Sequence, residues 1–124
     1  MTITHLDAEY QKVTELWSPR VVGVANGQFL KIARVHGELV WHSHADEDEL
    51  FMVNKGEFGL RYRDGREVLL RPGDIHVVPR GVEHLPFANR EALILFFEPA
   101  STMHTGDVVT DRTRSIEEQT AHLG

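Results

Sequence analysis

Between Val21 and Glu98 the apolar residues come in short runs, and Gly, Pro, Asn or Asp breaks almost every one of them. Runs this short suit strands, whereas a helix needs about ten or more residues of three-and-four periodicity. The pattern predicts strands over residues 28–36, 38–41, 50–55, 57–62, 67–70, 75–78, 83–87 and 92–97. Asp64-Gly65 lies between Arg63 and Arg66 and signals a hairpin turn, and Gly56 separates two strands in the same way. Many short strands at close spacing define an all-β barrel or sandwich.

The flanks read differently. Leu6, Tyr10, Val13, Leu16 and Trp17 stand three or four apart, which predicts a short N-terminal helix over residues 5–17. Thr4 is the expected N-cap, with Asp7 at the capping-box position, and Pro19 ends the segment. Pro99 stops the last strand, and a polar tail follows with a helical turn over residues 115–122. The expected organisation is a single domain: a helical segment at 1–20, a barrel at 21–100 and a tail at 101–124. A chain of 124 residues buries roughly two-thirds of its unfolded surface, enough for a core.

Composition narrows the function. Thirteen basic against nineteen acidic side chains give a net charge of −6. That balance argues against nucleic-acid binding and against an anionic membrane surface. No cysteine is present, which removes disulfides, thiolate metal sites and thiol nucleophiles. The first ten residues are polar and acidic, unlike a secretory leader, and no apolar run approaches a membrane span. A cytoplasmic protein is the expectation.

Histidine is the exception, with eight residues. Any metal here would take imidazole and carboxylate ligands. His42-Ser43-His44 places two imidazoles on one face if the segment is extended, about 7 Å apart at the backbone. An acidic loop, Ala45-Asp46-Glu47-Asp48, leads to Glu49 at the head of an apolar run. A third imidazole can come from His84, which follows the turn residues Gly73, Pro79 and Gly81.

These residues resemble the two motifs of the cupin family. His42-x-His44, four residues, Glu49, six residues, Gly56 matches the first motif, and Gly73, five residues, Pro79-x-Gly81, two residues, His84 matches the second. The match runs from Gly37 to Asn89, with Gly37 one residue nearer to His42 and Asn89 one residue later than the family pattern. The resemblance implies a double-stranded β-helix, the jelly-roll barrel, with a short N-terminal helix. It also implies one divalent transition metal (Mn, Fe, Ni, Co, Zn or Cu) held by His42, His44, Glu49 and His84. Asp46, Glu47 and Asp48 are rival carboxylates that read as a solvated loop.

Strand alternation extends the reading. With His42 and His44 inward, Val40 is inward, and Leu39 and Trp41 are outward. With Glu49 inward, Phe51 and Val53 are inward, and Leu50 and Met52 outward. Glu38 shares the parity of His42 and joins Tyr62 and His76 as candidates to line a substrate pocket. His36 and His104 are weaker candidates, and His5 and His122 read as solvated. Arg61 and Arg63 share a face, either inward for an anionic substrate or outward in solvent. Residues 93–97 are apolar on both faces, so the barrel exterior needs a cover. The N-terminal helix and a second copy of the chain, in a C2 homodimer, are the expected covers.

The resemblance implies a small-molecule ligand and either a metal-dependent enzyme of dioxygenase, isomerase or lyase type or a non-catalytic binding module. The motifs do not choose a substrate, a reaction or a general base.

Overall fold

The computed structural model describes residues 2–100, 106 and 114–123. Seven antiparallel strands carry the fold: β1 (Arg20–Ala25), β2 (Gln28–Glu38), β3 (Glu49–Lys55), β4 (Phe58–Tyr62), β5 (Glu67–Leu70), β6 (Ile75–Val78) and β7 (His84–Pro99). They hydrogen-bond in the order β1-β2-β7-β3-β6, and β4 joins β7 to β5. The long central strand β7 therefore touches β2, β3 and β4, and curls the sheet into a jelly-roll barrel. Two short helices, α1 (Leu6–Gln11) and α2 (Ile116–Thr120), flank it. Among the described residues no helix is long and apolar enough to cross a membrane.

The turns follow their chemistry. Asn26 and Gly27 both have positive φ, 53° and 73°, the two-residue hairpin geometry that suits the twist of flanking strands. They join β1 to β2. No strand was expected at β1, although Val21-Val22-Gly23-Val24 before an Asn-Gly pair carried the signal. Gly65, with φ 92°, closes the β4–β5 hairpin as expected. Gly59 allows a close approach: a Cβ there would lie 2.2 Å from Cζ of Phe87.

Three expectations require correction. The helix is shorter than residues 5–17, its N-cap is His5 without a side-chain bond, and Thr4 plays no part in it. Beyond Gln11 the segment straightens until Leu16 bridges Arg34 in parallel and the Trp17 N–H bonds to Arg34 O at 2.8 Å. Tertiary pairing outweighs the helical spacing there. The strands expected at 83–87 and 92–97 are one strand, β7; the register between Val35 and Gly37 of β2 slips where Asn89, Arg90 and Glu91 bulge outward. Finally, residues 38–41 form no separate strand. β2 ends at Glu38, and the chain continues without regular pairing to His42.

Two apolar compartments result. The barrel interior gathers Phe51, Val53, Phe58, Leu60, Ile94 and Phe96, with Trp17 and Leu39 packed against them. On the outer face, Tyr10 and Val13 cover Ile32 and Leu95. Fully burying one such aliphatic or aromatic side chain stabilises by about 1.5–3 kcal/mol. The N-terminal segment therefore covers part of the exterior, as its apolar residues required. Burial along β3 alternates from Glu49 as expected, with Phe51 and Val53 inside.

Candidate metal centre

Four side chains meet at one end of the barrel interior. The candidate ligand atoms of His42, His44, Glu49 and His84 all lie within 4.8 Å of one another, and all four residues are buried. Each arrives from a different constraint. Glu49 opens β3 and faces inward opposite Val78 of β6. His84 opens β7. His42 pairs with it in an isolated antiparallel bridge, His42 N to His84 O at 3.0 Å and His84 N to His42 O at 2.9 Å. His44 is fixed through its carbonyl, which accepts from Gly81 N at 2.7 Å. The turn before β7 thus pins the loop that carries the other two histidines.

The imidazole tautomers follow from their partners. His42 Nδ1 lies 2.9 Å from Val40 O, and His84 Nδ1 lies 2.9 Å from Val82 O. A carbonyl only accepts, so each Nδ1 carries the proton and each Nε2 presents a lone pair. The Nε2 atoms of His42, His44 and His84 are buried without a hydrogen-bond partner. Those of His42 and His84 are orphaned acceptors, costly unless a Lewis acid or a donor reaches them. Glu49 Oε1 lies 3.3 Å from His44 Nε2 and 3.6 Å from His84 Nε2. This cluster can bind a metal ion.

The imidazoles differ in protonation. Burial, and then the charge of His84, pushes His42 down to about 4. Burial also opposes the charged form of His44, but the hydrogen bond and charge of Glu49 outweigh it and raise the group. Burial alone would raise Glu49; its close neighbours Glu98, His44 and His84 hold it well below the ordinary carboxylate range.

Glu98 and Lys31 complete the interior, and the sequence reading named neither. Both are wholly buried, with Lys31 Nζ 2.8 Å from Glu98 Oε1. Burial and the neighbouring negative charge of Glu49 raise Glu98 well above the usual range, which favours its neutral form beside Glu49. A signal existed. Lys31 and Glu98 share the inward parity of Ala33 and Phe96, so a charge on each of two core-facing positions was readable once β2 and β7 were paired.

The other candidates lie elsewhere. Glu38 does not share the face of His42. It is exposed and ion-paired to Arg61, whose guanidinium covers the Phe87 ring at 4.2 Å. The alternation fails between Glu38 and His42 because that stretch is irregular, and the same irregularity turns Leu39 inward rather than outward. Arg63 stacks on Trp41 at 3.9 Å, so both arginines face outward. Tyr62 and His76 face inward and bond to each other, hydroxyl to Nε2, at 2.6 Å. Neither lines the small cavity beside His42 and Glu49. Among the rival carboxylates, Asp48 accepts from Arg80 N and Glu47 from Asp46 N, and neither they nor Asp46 join the cluster. His36 is exposed, and His122 Nε2 bonds to Val21 O at 2.6 Å. His104 lies outside the described residues.

With a jelly-roll barrel and a three-histidine, one-glutamate cluster at its end, the class of protein is defined. The cupin-domain family profile matches residues 31–97, and the chain belongs to that family. A cupin-2 domain protein from Shewanella frigidimarina NCIMB 400 is 38% identical, with a TM-score of 0.76 over 78% of this chain and 94% of its own. "Uncharacterized protein YdbB" of Bacillus subtilis (strain 168) is 33% identical over 63 residues, 51% of this chain and 56% of that protein, so the likeness spans about half the curated relative. Hydroquinone 1,2-dioxygenase PnpCD, solved with Cd2+ and 4-hydroxybenzonitrile, shares the fold at 21% identity and a TM-score of 0.60, over 73% of this chain and 69% of its own.

Proposed function

We propose that the chain is a metal-dependent cupin in which His42, His44, Glu49 and His84 hold one divalent transition metal, and that it acts on a small organic molecule. The observation that carries this reading is the set of three buried Nε2 atoms that converge on Glu49. The donor set is three imidazoles and one carboxylate, suited to Mn, Fe, Co, Ni, Zn or Cu, and binding would displace the proton that Glu49 favours on His44. The Cd2+ in the dioxygenase of like fold is in keeping with it.

When bound, the metal supplies Lewis-acid activation of a substrate oxygen or, as iron, a site for dioxygen chemistry. The chain's own residues do the rest. Val40 O and Val82 O hold two imidazoles in the ligating tautomer. Glu98, braced by Lys31, holds the Glu49 carboxylate from behind, and the aromatic interior excludes water. A dioxygenase, isomerase or lyase reaction is compatible with such a site.

The test is metal content by mass spectrometry on untagged protein prepared without chelator. Near-stoichiometric metal is expected, falling sharply in His44→Ala and His84→Ala while the β-rich spectrum persists. Full occupancy in both variants would refute the ligand set. Absence of metal after titration would leave a non-catalytic binding module.

The chain is also proposed to be a cytoplasmic single domain and a C2 homodimer. Support for the dimer comes from edge strand β6, whose outward Ile75 and Val77 are 60% and 44% exposed. These residues register with Met52 and Leu50 of β3 to continue one apolar face. Light scattering at micromolar concentration should give twice the chain mass, and a monomer would remove the proposal.

A further inference from the structure

Beside His42 and Glu49 lies a small cavity, and its far wall comes from outside the segment that matches the family. Trp17 precedes the matched residues 31–97, yet its indole lines this cavity together with Leu39, Phe51, Phe58, Ile94 and Phe96. Apart from His42 and Glu49, the walls are apolar. The free space is about 30 Å³. A space this small takes a short group in preference to a bulky one.

Trp17 is held there against its backbone preference. Its φ is +58°, a region that bulky residues rarely adopt. Strain of this kind persists only where surrounding contacts over-determine it, and it clusters at ligand sites. The contacts are two hydrogen bonds to β2: Trp17 N to Arg34 O at 2.8 Å and Trp17 Nε1 to His36 O at 2.9 Å. They anchor the ring across the cavity, so the indole is a fixed wall and not a loose lid. The same ring is buried to 4% exposure.

We propose that Trp17 is the residue that limits ligand size at this site: the ligand places an oxygen donor at the histidine end and a short apolar group, no larger than a few carbons, against the Trp17 indole. The proposal rests on the metal-centre reading above for the position of the oxygen donor. It assigns Trp17 a specificity role and no part in chemistry.

The test uses full-length protein loaded with Co2+, titrated with acetate, butyrate, hexanoate and benzoate and followed by Co2+ visible absorption. The variants are Trp17→Gly, which also relieves the positive φ, Trp17→Ala, and the milder Trp17→Phe. Wild type should bind the short acids and discriminate against hexanoate and benzoate. Trp17→Gly and Trp17→Ala should gain about tenfold for the two larger acids relative to acetate, as expected for newly accommodated methylenes. If those two variants fail to fold, Trp17→Phe carries the comparison, with a smaller gain for hexanoate. The same acids titrated into apoprotein by calorimetry keep the question separate from metal binding. Failure to take up Co2+ would refute the metal-centre reading. An unchanged chain-length profile in folded variants, or no acid binding in either form, would overturn the role of Trp17.

Discussion

Strands β2 and β7 each present two faces, and the two faces have been given opposite chemistry. Outward, Ile32 and Leu95 meet Tyr10 and Val13 in an apolar layer, where the buried Tyr10 hydroxyl donates to Ile94 O at 2.7 Å. Inward, one residue away, Lys31 and Glu98 are sealed inside the barrel at 0% exposure beside Glu49. A dry layer can be assembled from shape and area alone. A charged interior stands only while every charge has its partner, because an unpaired buried ion costs several kcal/mol. The outer layer therefore supplies stability that the inner one consumes to hold a site in place.

The sharpest way to break this contrast is Lys31→Met. It strips the counter-charge from the Glu98–Glu49 pair and should cost the metal-free protein about 3–5 kcal/mol in urea unfolding. A loss below about 1 kcal/mol would mean that the interior charges are not energetically coupled. With one positive charge fewer near the site, saturating Zn2+ should restore more stability to this variant than it adds to wild type.

On the other face, Leu95→Ala should cost about 2–5 kcal/mol through a cavity between sheet and N-terminal segment. Metal bound per folded chain should stay at the wild-type level, since Leu95 faces away from the cluster. A parallel fall in metal content would show that the two compartments are not independent. Tyr10→Phe is the finer probe of the same layer. It removes one hydrogen bond and leaves the Ile94 carbonyl without this partner, for about 1 kcal/mol, measured as a shift in the denaturant midpoint.

The smallest effect is a pH dependence. Burial, and then the charge of His84, hold His76 below the ordinary histidine value of 6.5. The unfolded chain thus takes the proton more readily than the folded one. The stability linked to His76 is complete above about pH 6.5 and declines as pH falls below it. Replacing His76 with Gln should flatten this part of the acid slope in metal-free protein. An identical slope would place the proton uptake on other groups.

Much of this was legible from residue order. The period-two burial of β3 from Glu49, the Asp64-Gly65 hairpin and the Ser115 capping box at the head of α2 all rest on local rules, and each was readable within a few residues. The four residues of the cluster were also readable, because their motif spacing reflects two short strand-and-turn segments. What failed did so where local rules met distant partners. The helical spacing through Trp17 gave way to pairing with Arg34 on β2, and the alternation from Glu38 to His42 gave way to the bridge between His42 and His84.

By itself, then, the sequence determined an all-β barrel, its punctuation and the four residues of the cluster, since backbone propensity, turn chemistry and spacing act over short range. Only the tertiary structure decided which imidazole nitrogens face inward, that Lys31 and Glu98 stand behind Glu49, and that Trp17 closes the chamber. The pair behind Glu49 depends on register between strands more than sixty residues apart, such as Lys31 against Phe96, and Trp17 on its pairing with Arg34; no local rule carries that information.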